Sequence, residues 1–195
     1  MAAMPPGWQP HVVTPISQQE AQDTVLGYFE MTLQALPPGA VIVATDYGGA
    51  ETTGPCNGAV AGTDPPQEFS AIGQLETPGP GSDRTVVAVG DTWRSWGWWV
   101  FERDGLAKPN RFGYAPDGYA FQIQVSDPPG YSPIVSAISP CYSHAAARAD
   151  APFPAMISAD GRLDDVGASR PVSYGIQFVS HNGVSGRSHA FRSAR

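Results

Sequence analysis

Lysine is almost missing from this chain of 195 residues: Lys108 stands alone, and the formal net charge is −7 with a sequence pI near 4.9. A protein that holds nucleic acid neutralises phosphates with clustered Lys and Arg, so this balance argues against nucleic acid as a partner. Long apolar runs are missing too. Nothing approaches the ~18 residues of a membrane-spanning helix. The start, "MAAMPPGWQPHVVTP", has neither a basic n-region nor an apolar h-region. The chain is therefore expected to be cytosolic, or exported with its leader removed. Histidine is scarce where catalysis would need it. Of four, His11 stands in the lead and His144, His181 and His189 near the end, leaving the expected core without the commonest general base.

Other catalytic and metal patterns are also incomplete. "SHNGVSGRSH" sets Ser185 and Ser188 between His181 and His189, but Arg187 stands where a nucleophile elbow needs its second glycine. A hydrolase using these tail residues is the weaker alternative reading. "SADGRLDDVG" offers Asp160, Asp164 and Asp165 without the ligand spacing or closing glutamate of a calcium loop. No dinucleotide or phosphate-cradling glycine motif is present. The expectation is a protein that is not an enzyme, with no metal and no cofactor.

Cysteine is limited to two residues, Cys56 in "TTGPCNG" and Cys141 in "AISPCYS". They have no C-x-x-C spacing and no histidine pair nearby, which disfavours a metal site. One disulfide is the direct reading, and two buried free thiols the alternative. A bridge would close a loop of about 85 residues and, on loop-entropy grounds, stabilise by roughly 4–5 kcal/mol.

What the chain has in quantity is glycine (22), proline (20) and aromatic rings, within a hydrophobic content of 42%. That is a globular composition with many turns, sized for one domain. Ser17 followed by Glu20 forms a capping-box pattern, and Ala21, Val25, Tyr28, Phe29, Leu33 and Leu36 recur at helical spacing until Pro37 and Pro38. "AVIVATDY" predicts a strand over Val41–Thr45. "EFSAIGQLE" predicts a second, which Gly73 weakens. Val86, Val89, Trp93 and Trp96 lie on one face of a second helix that Gly97 terminates.

In "WWVFERD", alternation sends Trp98 and Val100 one way and Trp99 and Phe101 the other. "KPNRFGY" reads as a loop, and "YAFQIQV" and "IVSAIS" as further strands of an antiparallel meander. A helix followed by strands and a Pro-Cys pair occurs twice, which hints at an internal duplication. The fold class that follows is α+β: a two-layer domain, an antiparallel sheet with two helices packed on one face.

The expected organisation is an irregular lead over residues 1–15, the α+β domain over 16–142 and a tail over 143–195. The tail, with one possible added strand in "PVSYGIQFVSHNG", otherwise looks loosely ordered. It also reverses the charge balance. Residues 1–141 carry five basic and fourteen acidic side chains (net −9); residues 142–195 carry six arginines and four aspartates (net +2).

The aromatic residues are the remaining candidates for function. Trp98, Trp99, Tyr114 and Tyr119 are the expected ligand-binding surface, set against the plainer reading that most such rings fill the helix–sheet interface.

The ordered set "LQALPPGA", "GPCNG", "GW", "KPNRFGYAPDGY" and "SPC" resembles mycobacterial and related actinobacterial cell-envelope lipoproteins of the LppA-like kind, over about residues 16–142. The resemblance implies an exported protein at the outer face of the cell membrane or in the envelope. It also implies a lipid anchor on an N-terminal cysteine, which this chain lacks, and a Cys56–Cys141 disulfide. It carries no catalytic residues. The expected role is a non-enzymatic binding module for an envelope protein, lipid or glycan, with a purely structural envelope protein as a further alternative.

Overall fold

The computed structural model describes residues 4–44, 51–59, 62, 64–79 and 81–162. Among them, two helices and nine strands form the α+β architecture, with every strand pairing antiparallel in one sheet. In chain order these are α1 (Gln18–Gln34), β1 (Val41–Val43), β2 (Glu51–Pro55), β3 (Gln67–Glu76), α2 (Ser82–Ser95), β4 (Trp99–Phe101) and β5 (Asn110–Tyr114). Then follow β6 (Ala120–Gln124), β7 (Ile134–Ile138), β8 (Met156–Ser158) and β9 (Gly161–Arg162). Across the sheet the order is β4-β5-β6-β7-β3-β1-β8-β9, with β2 also on β3.

Helix α1 begins where the capping pattern places it: the Glu20 amide donates to Ser17 Oγ at 3.1 Å, and the Glu20 carboxylate accepts from the Ile16 amide. Val25, Phe29 and Leu33 follow at helical spacing and are buried. The centre of the sheet is β3, ten residues in strict alternation. Phe69, Ala71, Gly73 and Leu75 face the helices, and the residues between them face away. Gly73 does not weaken this strand. A Cβ there would come within 2.7 Å of the Ile42 side chain, so glycine is what lets β1 pack its isoleucine against β3.

Both helices lie on one face of the sheet, α1 over β3 and β8, α2 over β4, β5 and β6. Between the layers lie Phe29, Phe69, Trp93, Phe121, Ile123 and Ile157. Trp93, fully enclosed, satisfies its indole N–H by donating to Thr32 Oγ1 at 3.1 Å, and that hydroxyl donates onward to the Tyr28 carbonyl.

Three features differ from the sequence-based expectations. "KPNRFGY" is not a loop: Asn110–Tyr114 is β5, paired with β4 on one side and β6 on the other. Glu51–Pro55, for which no strand is predicted, is β2, in register with β3. The domain also continues past residue 142. Phe153 packs into the core against Phe29 and Phe69, and β8 pairs with β1. The strand expected in the tail at 171–183 lies outside the described residues, as do His181, Ser185, Ser188 and His189.

Cys56 and Cys141 form a disulfide, with Cα atoms 6.0 Å apart. The pairing follows from the sheet. Cys56 directly follows β2 and donates its amide to Pro66, while Tyr142, directly after Cys141, exchanges two backbone hydrogen bonds with Gln67 at the start of β3. Two chain segments that flank the same strand end thus bring the sulfurs together. None of the described helices is long and apolar enough to cross a membrane.

Candidate binding face

The four aromatic residues expected to bind ligand do not converge, and the end of α2 explains why. Gly97 takes φ +81° and donates to the Arg94 carbonyl at 2.9 Å; Trp98 donates to the Trp93 carbonyl at 3.2 Å. These two bonds make a Schellman motif, whose usual accompaniment is an apolar contact between the residues of the longer bond. Here Trp98 stacks on Trp93 with ring centroids 5.5 Å apart. The helix stop therefore folds Trp98 into the core, where it is 6% exposed, and Trp99 begins β4 pointing to the other face.

Tyr119 joins Trp98 on the helix side at 3% exposure, in the same alternation as Phe121 and Ile123. Trp98 and Tyr119 are core residues, a correction to their expected place in a recognition surface. Burial is also the main reason that the Tyr119 hydroxyl is pushed up to about 12, with Asp117 and Glu20 adding negative potential. Tyr28, beside it, is raised by burial and by donating to Asp117 Oδ2 at 2.6 Å.

Trp99 and Tyr114 lie together on the face away from α1 and α2. They are cross-strand partners, rings 5.3 Å apart at 30°. Sequence reasoning missed three members of this group. Phe101 is near-parallel to Tyr114 (5.9 Å, 5°), and Phe112 to Phe101 (6.0 Å, 21°). Arg103 places its guanidinium 3.9 Å from the Phe112 ring centre and donates to Tyr114 Oη at 2.9 Å. Trp8, from the lead, leans against Trp99 at 5.6 Å and donates its indole N–H to the Gly97 carbonyl.

The ladder is set by its backbone. Asn110, fully buried, accepts from the Arg103 amide at 2.8 Å and donates to the Arg103 and Ala107 carbonyls, closing the β4–β5 connection beneath Arg103. Glu102 sits outside this loop between Lys108 and Arg111, whose charged donors hold its carboxyl below the usual range.

Beyond the rings the same face continues in register. Phe112 stands opposite Gln122, Gln122 opposite Ser136, and Ser136 opposite Ile72. Gln122 donates to Gln124 at 2.8 Å. The face is thus half aromatic and half amide, hydroxyl and aliphatic; its residues are half-buried except Phe112, which is buried at 6% exposure under Arg103, and no described helix lies over them.

Two other groupings gather polar side chains. Cys56, Cys141 and Glu68 hold their ligand-type atoms within 4.8 Å of one another, and burial raises the Glu68 carboxyl. With the sulfurs bonded to each other neither is a thiolate, the form that ligates metal, so in this state the trio is not a metal site. A cleft of about 540 Å³ opens at the start of α2, lined by Thr77, Ser82, Asp83, Arg84 and Tyr131. Asp83 sits in the first turn of that helix and opposes an anion there.

Comparisons with known protein families, with curated proteins and with solved structures return no match.

Proposed function

We propose that this chain is an exported cell-envelope domain of the LppA-like lipoprotein kind, acting as a non-enzymatic binding module that receives an envelope protein, lipid or glycan on its helix-free sheet face. The observation that carries the reading is the ladder of Trp99, Tyr114, Phe101 and Phe112, capped by Arg103, on the side of the sheet away from both helices. Rings held in register by two paired strands offer contact area with little rotamer freedom left to lose on binding. The Cys56–Cys141 disulfide supports an oxidising compartment.

The indole N–H signals of the five tryptophans give a direct test. Titration with neutral glycans, phospholipid vesicles or envelope protein fractions is expected to move the Trp99 signal and leave that of Trp93, deep in the core, in place. Shifts confined to the helix side, or no shift with any class, would overturn the reading.

A further inference from the structure

The same face is specific enough in its chemistry to select among those partner classes. Resting on the binding-module reading above, we infer that its occupant is a neutral polysaccharide chain laid across the strands, from the aromatic ladder over β4 and β5 to the amide and hydroxyl rows of β6 and β7. The register makes a continuous path. One row runs Phe101, Phe112, Gln122, Ser136, Ile72, and the next runs Trp99, Tyr114, Ala120, Ile138, Ser70. Four inter-strand steps of ~4.8 Å give a track roughly 19 Å long.

Charge identifies the occupant. These two rows contain no ionised side chain. Glu68 and Glu76 stand toward the two ends of β3 beside them, in a chain of net charge −7. The one cation at the ladder, Arg103, is already engaged with Phe112 and Tyr114. A polyanion would find no ionised side chain on these two rows to hold it, on a molecule whose net charge is negative.

An acyl chain fits less well, because half of the positions past the ladder, Gln122, Ser136 and Ser70, are polar. Covering Gln122, Gln124 and Ser136 with hydrocarbon would strand their donors and acceptors. A protein partner would seat its most apolar contacts at the centre of the patch, whereas here the rings lie at the sheet edge and the amides at the centre. A sugar chain matches both halves. The C–H faces of its rings suit aromatic contact, and its hydroxyls are donors and acceptors in the same groups, as are the side-chain amides of Gln122 and Gln124. The Gln122–Gln124 hydrogen bond uses one donor and one acceptor of that pair and orients the rest.

The test uses the whole oxidised chain with three soluble neutral polymers (dextran, a mannan and a galactan), with carboxymethyl-dextran as a charged counterpart of the first. Vesicles of zwitterionic phosphatidylcholine complete the set. At least one neutral polymer is expected to shift the Trp99 indole signal and to bind about tenfold more weakly to Trp99→Ala and to the Gln122→Ala/Gln124→Ala double variant. If dextran is a ligand, its carboxymethylated form is expected to bind more weakly at low salt. The double variant keeps the test sound if Trp99→Ala perturbs the ladder, and circular dichroism checks both folds.

Binding unaffected by the glutamine pair, or no binding of any neutral polymer, overturns the inference. In the second case a Trp99 shift with vesicles or an envelope protein leaves the binding-module reading standing, and no shift with anything removes both.

Discussion

Gly113 shows how tightly one position can be determined by the rings packed against it. A Cβ on it would lie 2.7 Å from the Trp93 ring and 3.1 Å from the Trp98 ring, so the stacked tryptophans occupy the space its side chain would need. Overpacking of this kind typically costs about 1–3 kcal/mol. Gly113→Ala is expected to lower the urea midpoint by a corresponding amount and to disturb the near-ultraviolet circular dichroism of the Trp93–Trp98 stack.

The tyrosines at the α1 end of the core give a second prediction at this scale. Burial holds Tyr119 at about 12 against an ordinary 10.0, and raises Tyr28 as well. A folded-state value above the unfolded one means that the unfolded chain releases its proton first. The stability these groups contribute is complete below pH ~10 and is lost as the pH climbs toward 12. Unfolding midpoints measured across that window should fall, and Tyr119→Phe should flatten the decline.

Among elements, those with one dominant periodic signal were legible from sequence: α1 with its cap, α2 with its glycine stop, and the alternating β3. Ser17→Ala is expected to cost about 1 kcal/mol, read from denaturant unfolding, because the Glu20 amide loses its acceptor. Strand β5 was not legible. Its neighbourhood contains Pro109, Asn110 and Gly113, each a local turn signal, and two of them have a tertiary reason: Asn110 closes the β4–β5 connection and Gly113 admits Trp93. Strand β8 was hidden by the change in composition beyond residue 142.

The candidate face followed the same division. Alternation alone separated Trp98 from Trp99. Phe101 shares Trp99's alternation and Tyr119 shares that of Phe121, so both signals were present though unused. Phe112 could not be placed while its strand read as a loop, and nothing in the local sequence around Arg103 signals its contact with Phe112.

At the scale of the whole molecule, the two layers divide the labour. The helix side concentrates the large rings that stabilise the fold, and the opposite side carries Trp99, Phe101, Tyr114 and amides that remain half-buried. The disulfide joins the regions before β3 and after β7 with a sequence separation of 85. Reduction is expected to lower the free energy of unfolding by roughly 4–5 kcal/mol, measured in denaturant with and without a phosphine reductant. A loss well under 1 kcal/mol would show that the sheet registers hold the two segments as firmly without the bond.

That one covalent tie also encircles all of α2, β4, β5 and β6, together with the strands on which the open face is built. A protease that nicks the turn between β6 and β7, where Tyr131 stands exposed, therefore cuts the polypeptide without releasing a piece of it. On a denaturing gel the clipped protein should run as a single species until thiol is added, then separate into two fragments. In a compartment where hydrolases are abundant and resynthesis is remote, such a molecule outlasts its first cut.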